Sequence, residues 1–405
     1  MNIGIVTTWF ERGAAYVSKQ FEEVLSEQHS VFIYARGGEK YAIGNPKWDK
    51  ENVHWGKKRK TPFESTSMNK KDFVEWVKKN KIEKILFNEQ QWFIPLLWCD
   101  ELKIPTIAYI DYYKKNTLPL FNGYSALICN TKRHHSVFEW HTNACYVPWG
   151  TNTELYKPSQ EEFKLNNPDF VSFFHSTGYA PIRKGTDILL KAANNISEAF
   201  HLIIHTQVDL IEKLPELKAT IEELLQKGKL EIINQTVPAP GLYHRGDVYV
   251  YPSRLDGIGL TVAESQACGN VPVVTNNGPM NEFVPEGLGY LIDVERFYSR
   301  EDGYYWPECT PSENHLSQLM TTICQNKEKI PALKKKNRDF AIEQLNWNKN
   351  AAQLNDLIEK IQYRPLNLAT KKEIRHFENT DIRKLNSLYL QFFFVFNFIR
   401  KLFKK

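Results

Sequence analysis

The sequence predicts an α/β protein built from two doubly wound parallel sheets facing a cleft, followed by an amphipathic helical tail. Three observations carry that expectation. Short apolar runs alternate with helical stretches; the alternation restarts midway along the chain; and 405 residues exceed one ordinary core but suit two. With 42% hydrophobic and 24% charged residues, the composition excludes a mainly disordered chain, a collagen-like repeat and a polytopic membrane protein.

Taken in order, the first half reads as the strand NIGIVTTWF, a helix from about Ala15 to Gln28, the strand SVFIYA, a helix over Lys70 to Lys79, and the strands KILFNE, TIAYID, SALICN and ACYVPWG. Near-continuous apolar runs separated by helices are the mark of strands buried on both faces of a parallel sheet. A polar, proline-flanked stretch, Pro158 to Pro168, then places a boundary near residue 165. The second alternation runs FVSFFHS, a helix from Thr186, FHLIIHT, a helix near Glu216 to Gln226, LEIINQ, DVYVYPS, a helix from Leu260, and VPVVTN. The expected domains are residues 1–165 and 166–345. The aromatic stretch Phe297 to Pro311 reads as an inserted loop, and there is no short internal repeat.

Charge is distributed unevenly. The net charge is +5, yet Tyr363 to Lys405 alone carries ten Lys and Arg against three acids, so the basic excess belongs to the tail and argues for no nucleic-acid partner. Six scattered cysteines show neither zinc-ligand nor redox spacing, which fits a reducing cytoplasm. No secretory signal begins the sequence and no run is long enough to span a bilayer.

Ligands of parallel sheets bind outside the carboxyl ends of the strands, so facing sheets put a site in the cleft between them. Two motifs test this. After DVYVYPS comes DGIGLTVAESQACG, in which Asp256 and Glu264 bracket the turn Gly257, Ile258, Gly259 and the helix start at Leu260. The glycines permit close backbone approach, a helix start favours an anion, and carboxylates accept hydrogen bonds from sugar and ribose hydroxyls. After FVSFF comes HSTGYAPIRKG, where Arg183 and Lys184 supply two cations suited to a diphosphate, with His175 and Gly178 lining the same strand end. Taken alone, the first acid reads equally as helix stabilisation and the two cations as solvated surface. His134, His135 and His141 lack the i, i+4 spacing of a helical metal pair, so no metal site is expected there.

These residues resemble the GT-B glycosyltransferases, and within them the retaining group 1, or family 4, enzymes, over roughly residues 1 to 362. The segment YPSRLDGIGLTVAESQACGNVPVVTNNGPMNEFV is similar to that family's acid, seven residues, Glu signature. YVPWGTNTELYKP resembles its interdomain segment, and RKGTDILLKA its phosphate loop. The resemblance implies two Rossmann-like domains, a donor diphosphate on Arg183 and Lys184, the ribose on Glu264 and the transferred sugar on Asp256. It also implies front-face attack with retention, with the leaving phosphate taking the acceptor proton and no protein nucleophile. Four departures stand out. Asp256 replaces the usual Glu, Trp149 stands where Asn is usual, and the glycine-rich first loop is reduced to Arg12, Gly13 and Ala14. The family's His after a first-domain strand is replaced near Tyr109 to Asp111, which makes Asp111 the substitute candidate beside the acceptor. No Asp-x-Asp triplet is present, so no metal and no other cofactor is expected, with a nucleotide sugar as donor substrate.

The family's carboxyl-terminal helix crosses back to the first domain, and residues 346–362 match it. From Ile382 the apolar residues recur every three or four positions among basic ones, so residues 363–405 read as a basic amphipathic tail for an anionic membrane surface, or else for a partner protein. The expectation is a transferase on the cytoplasmic membrane face, acting on a saccharide or lipid-linked acceptor in polysaccharide or glycolipid synthesis. Its rivals are an epimerase or phosphorylase on the same fold and a catalytically idle nucleotide-sugar-binding scaffold. A dinucleotide oxidoreductase fails because NIGIVTTWFERGAA lacks the Gly-x-Gly-x-x-Gly turn.

Overall fold

A computed structural model describes residues 1–37, 41–57, 66–159, 162–380 and 392. Packing divides the chain into two units. The first comprises Met1–Cys129, Val137–Cys145 and the described residues from Gln353 on; the second comprises Asn130–Ser136 and Tyr146–Ala352.

The first unit is organised on a sheet of β1 (Asn2–Thr7), β2 (Ser30–Ala35), β3 (Val53–Trp55), β4 (Lys84–Asn88), β5 (Thr106–Ile110), β6 (Ala126–Cys129) and β7 (Ala144–Tyr146), in the order β3-β2-β1-β4-β5-β6-β7. The central pairs are parallel, with Ile5 opposite Ile33 on one side and Leu86 on the other. Every residue of β4, β5 and β6 is buried, as both-face coverage by helices requires.

The second unit repeats the design with β8 (Val171–Gly178), β9 (Phe200–Thr206), β10 (Leu230–Asn234), β11 (Val248–Tyr251), β12 (Val271–Thr275) and β13 (Tyr290–Ile292), ordered β10-β9-β8-β11-β12-β13 and parallel throughout. One core joins Val171, Phe173, Val248, Val250, Val271 and Val273 of the sheet to Ile188, Leu189 and Leu190 of the helix Thr186–Asn194. Each such side chain contributes about 1.5–3 kcal/mol on burial. Both sheets follow the doubly wound order, which reverses direction between β1 and β4 in the first and between β8 and β11 in the second.

Four expectations need correction. Residues 146–159 and 162–165 pack with the second unit, as does Asn130–Ser136, so the second unit resumes at Tyr146 rather than near 165. The crossing segment is two short helices rather than one. Trp347–Ala351 belongs to the second unit, where the Trp347 ring packs tilted against Trp149, centroids 4.7 Å apart. Leu354–Lys360 belongs to the first, where the Ile358 carbonyl accepts from Lys84 Nζ at 2.6 Å. The aromatic stretch is a hairpin, not a loop: β14 (Val294–Tyr298) pairs antiparallel with β15 (Glu308–Pro311). Finally, residues 363–380 are part of the first unit's fold. Asp100 gathers Tyr363 Oη at 2.7 Å, Leu366 N at 2.8 Å and Lys371 Nζ at 2.6 Å, while Ile374 is fully buried. The amphipathic pattern from Ile382 lies, apart from the exposed Phe392, outside the described residues, as does most of the basic run from Lys57. Among the described residues no helix is long and apolar enough to cross a membrane.

Candidate active site

In the second unit the chain leaves β8 and β11, the neighbouring strands between which the order reverses, through the loops 179–185 and 252–259. A doubly wound sheet opens a crevice at this point. Gly185, at φ +72°, turns the first loop into its helix, and a Cβ there would lie 1.9 Å from the Pro252 carbonyl oxygen. The two loops are thus pressed together at a position only glycine can occupy.

That contact brings the sequence-predicted residues into one cluster. Lys184 Nζ reaches Asp256 Oδ2 at 2.7 Å, with both side chains about 15% exposed or less. The Tyr251 hydroxyl joins both of them. Arg183 lies alongside, its Nη1 donating to the Leu255 carbonyl at 3.2 Å. Burial works against the Asp256 carboxylate, but the Lys184 and Arg183 charges and the Lys184 and Tyr251 hydrogen bonds prevail and hold it at about 2. Burial lowers Lys184, against the pull of Asp256.

Glu264, on the helix Leu260–Ala267, is held by the Tyr243 hydroxyl at 2.6 Å and by the Tyr156 hydroxyl. Burial nonetheless raises its pKa, against the two tyrosine hydrogen bonds and the Lys184 charge, which lower it. Gly259 caps the helix at φ +86°, whereas a Cβ on Gly257 would meet nothing within 4 Å, leaving open space over that turn. Ile258 is buried, Leu260 is half-buried and Gly178 ends β8 at φ +57°.

His175 does not line this site. It is fully buried, its Nδ1 2.8 Å from the Val250 carbonyl and its Nε2 2.8 Å from Thr186 Oγ1. Burial drives its pKa down to about 4, so a neutral imidazole ties β8 to β11 and to the helix that follows the 179–185 loop. The three clustered histidines go separate ways. His134, buried and lowered to about 4 by burial, donates through Nε2 to the Gly257 carbonyl at 3.2 Å; His135 packs near Tyr146; and His141 sits in the first unit against the Tyr124 carbonyl. Sequence reasoning missed Tyr251, Tyr243, Tyr156 and His134 as supports of the cluster. Tyr251 alone carried a signal, directly preceding the Pro252-Ser253 turn.

The first unit has its own polar cluster where its strand order reverses. Arg12 Nη2 meets Glu89 Oε2 at 3.4 Å, joining the loops after β1 and β4. Glu89 has φ +50°, and the buried Arg36 beneath it donates to the Asn88 carbonyl at 2.6 Å and to Gln90 Oε1 at 3.2 Å. Asp111, just after β5, accepts from its neighbour Tyr112 N at 2.7 Å, and burial with the adjacent Glu89 carboxylate pushes its pKa well up. Gly13 opens the helix Gly13–Leu25 with nothing within 4 Å of a Cβ position. Asp111 and Gly13 therefore belong to the first unit, and Arg183, Lys184, Asp256 and Glu264 to the second.

Residues 159–297, which include Arg183, Lys184, Tyr243, Tyr251, Asp256 and Glu264, match the family model described as glycosyl transferases group 1. The D-inositol 3-phosphate glycosyltransferase 1 of Catenulispora acidiphila is 28% identical over 166 residues, 36% of this chain and 38% of that protein. The chain thus matches less than half the length of its curated relatives. Among solved structures, the sucrose-phosphate synthase of Thermosynechococcus elongatus superposes with a TM-score of 0.67 at 15% identity, covering 89% of this chain and 98% of that one. Anabaena Alr3699/HepE in complex with UDP and glucose gives 0.67 at 16% identity, covering 89% and 99%. The two parallel-sheet, Rossmann-like units are the GT-B fold.

Proposed function

Starting from a GT-B chain whose residues 159–297 carry the glycosyl transferases group 1 domain, we propose that the protein transfers a sugar from a nucleoside diphosphate donor to a hydroxyl of a saccharide or lipid-linked acceptor, with retention. The observation that carries this reading is the Lys184–Asp256 pair with Arg183 beside it, at the strand-order reversal of the second sheet. Breaking the anomeric carbon–oxygen bond builds cationic character on the sugar and negative charge on the departing diphosphate. Cations already in place stabilise that charge without reorganising, so Arg183 and Lys184 take the diphosphate and a metal is not required. When the diphosphate arrives, Lys184 shares its charge with it, and Asp256 is released towards the sugar hydroxyls. Glu264, presented by its tyrosines, accepts from the ribose.

UDP is the first nucleotide to test, because HepE was solved with UDP and glucose. The first unit's cluster of Arg12, Glu89 and Asp111 is the proposed acceptor site. A membrane-borne acceptor follows from the basic, aromatic sequence after Ile382. Deletion of residues 381–405 is expected to abolish binding to anionic vesicles; unchanged binding removes the membrane part of the proposal.

The central test is calorimetric titration of the full chain with UDP, GDP, ADP and dTDP. One is expected to bind, and Arg183→Ala to weaken it roughly 10²-fold, the scale of losing one charge-stabilising group. Equal binding by the variant sinks the assignment. Chelator is expected to leave turnover unchanged.

A further inference from the structure

We infer that Arg254 is a positioning residue for the donor loop, clamping both ends of the turn that carries Arg183 and Lys184; the inference rests on the donor-site reading above. Arg254 lies in the loop after β11, two residues before Asp256. Its guanidinium forks onto Asp187, Nη1 to Oδ1 at 2.8 Å and Nη2 to Oδ2 at 2.7 Å, with the two side chains 12% and 13% exposed. Nη1 also donates to the Ile182 carbonyl. Its backbone N–H donates to the Arg183 carbonyl at 2.9 Å. One residue therefore holds positions 182, 183 and 187, and Lys184 is suspended between these anchors.

On its other side the Arg254 carbonyl accepts from Cys309 N at 3.0 Å and Cys309 Sγ at 3.2 Å, fastening β15 to the same point. The aromatic hairpin is thereby tied to the donor loop through a single residue. The planar fork matters. Only an arginine presents parallel N–H groups to both carboxylate oxygens while a further N–H reaches a backbone carbonyl; a lysine ammonium at this site satisfies one or two of the three acceptors. Loosening the clamp shifts two cations relative to Asp256, and misplacement on the order of 1 Å costs roughly 10²-fold in positioned chemistry.

The test is calorimetry on the full chain with whichever of UDP, GDP, ADP and dTDP the unmodified protein binds most tightly, alongside thermal unfolding. Arg254→Gln and Asp187→Asn are each expected to weaken binding roughly 10- to 100-fold, Arg254→Lys to recover only part of the loss, and the double variant to be no weaker than either single one. The control is Lys334→Met, which breaks the Lys334–Asp247 pair, 2.9 Å long and comparably buried, elsewhere in the same unit. It is expected to lower the unfolding midpoint while leaving affinity within twofold. Affinity within twofold of the unmodified protein for Arg254→Gln overturns the inference, as does a loss in Lys334→Met that matches it. If Arg254→Gln does not fold, Asp187→Asn carries the same comparison. If Arg183→Ala also binds normally, the donor-site reading itself has failed; if it binds poorly while Arg254→Gln binds well, only the positioning role falls.

Discussion

Gly185 and Gly257 show how differently two glycines serve one site. A side chain at 185 would face both a left-handed φ of +72° and the Pro252 carbonyl oxygen at 1.9 Å. Gly185→Ala is therefore expected to destabilise the fold by at least about 2 kcal/mol in urea denaturation, strain alone accounting for 1–2 of this. At 257 a Cβ meets nothing, so Gly257→Ala is expected to change stability by under about 0.5 kcal/mol while weakening the nucleotide that approaches that open turn. A fall in stability there, with binding intact, reverses the assignment. The Lys184–Asp256 pair makes a pH statement of the same kind. The folded Asp256 value of about 2 lies below the ordinary one. The pair's stabilisation is thus complete above about pH 4 and disappears as pH falls through about 2. Any acid limb in turnover nearer neutrality belongs to other groups, and Asp111, raised by burial and Glu89, is the candidate. Asp111→Asn is expected to remove that limb from a pH profile. At this scale the sequence was informative about residue type and silent about partners: Arg183, Lys184, Asp256 and Glu264 were readable from two motifs, but nothing in those motifs named Tyr251, Tyr243 or Arg254 as their supports.

Among the elements, β8 and β11 matter most because the loops 179–185 and 252–259 hang from their ends, and two buried groups hold them in register. His175 links β8 to the Val250 carbonyl in β11 and to Thr186 at the next helix. Asp247, immediately before β11, is fully buried. It accepts from Ser172 N at 3.0 Å, Asn166 N at 2.9 Å and Lys334 Nζ at 2.9 Å, the last on the helix Ile330–Gln344. Asp247→Ala strands Lys334 and two backbone donors and is expected to cost about 3–5 kcal/mol, read as a lowered denaturation midpoint. A loss below about 1 kcal/mol would mean that water replaces the carboxylate. Strand positions were legible because an apolar run buried on both faces leaves little choice of element, and SVFIYA is a strand over Ser30–Ala35 as read. The helix Lys70–Lys79 was legible for a local reason, its Asn69 side chain capping Asp72 N at 3.1 Å. The hairpin at 294–311 was not. Its pairing joins residues 10 to 17 apart, and its Asp302-Gly303 pair sits inside a long connection rather than forming a two-residue turn; Arg300 fastens it by reaching Glu308 at 3.1 Å.

Over the whole molecule, histidine burial works against stability in acid. His134 and His175 are held at about 4 by burial, and burial also lowers His29, His141 and His201. Between about pH 6.5 and 4 the unfolded chain takes up protons that the folded chain refuses, so stability declines through that window on acidification, by up to about 1.4 kcal/mol per pH unit for each fully refused proton. The unfolding midpoint is expected to drop from pH 7 to pH 4.5, and His175→Asn to flatten that dependence; an unchanged slope would mean the imidazole titrates normally. By itself the sequence determined the repeated strand–helix alternation, and with it two doubly wound sheets and the strand ends where charged side chains collect, because hydrophobic periodicity and loop chemistry are local properties of the chain. Tertiary structure alone decided that Lys184 would meet Asp256 72 residues away, that His175 would turn inward, that residues 363–380 would close on the first unit, and where the units divide. Those outcomes depend on which distant groups compete for the same buried hydrogen bonds, and no local pattern records that competition.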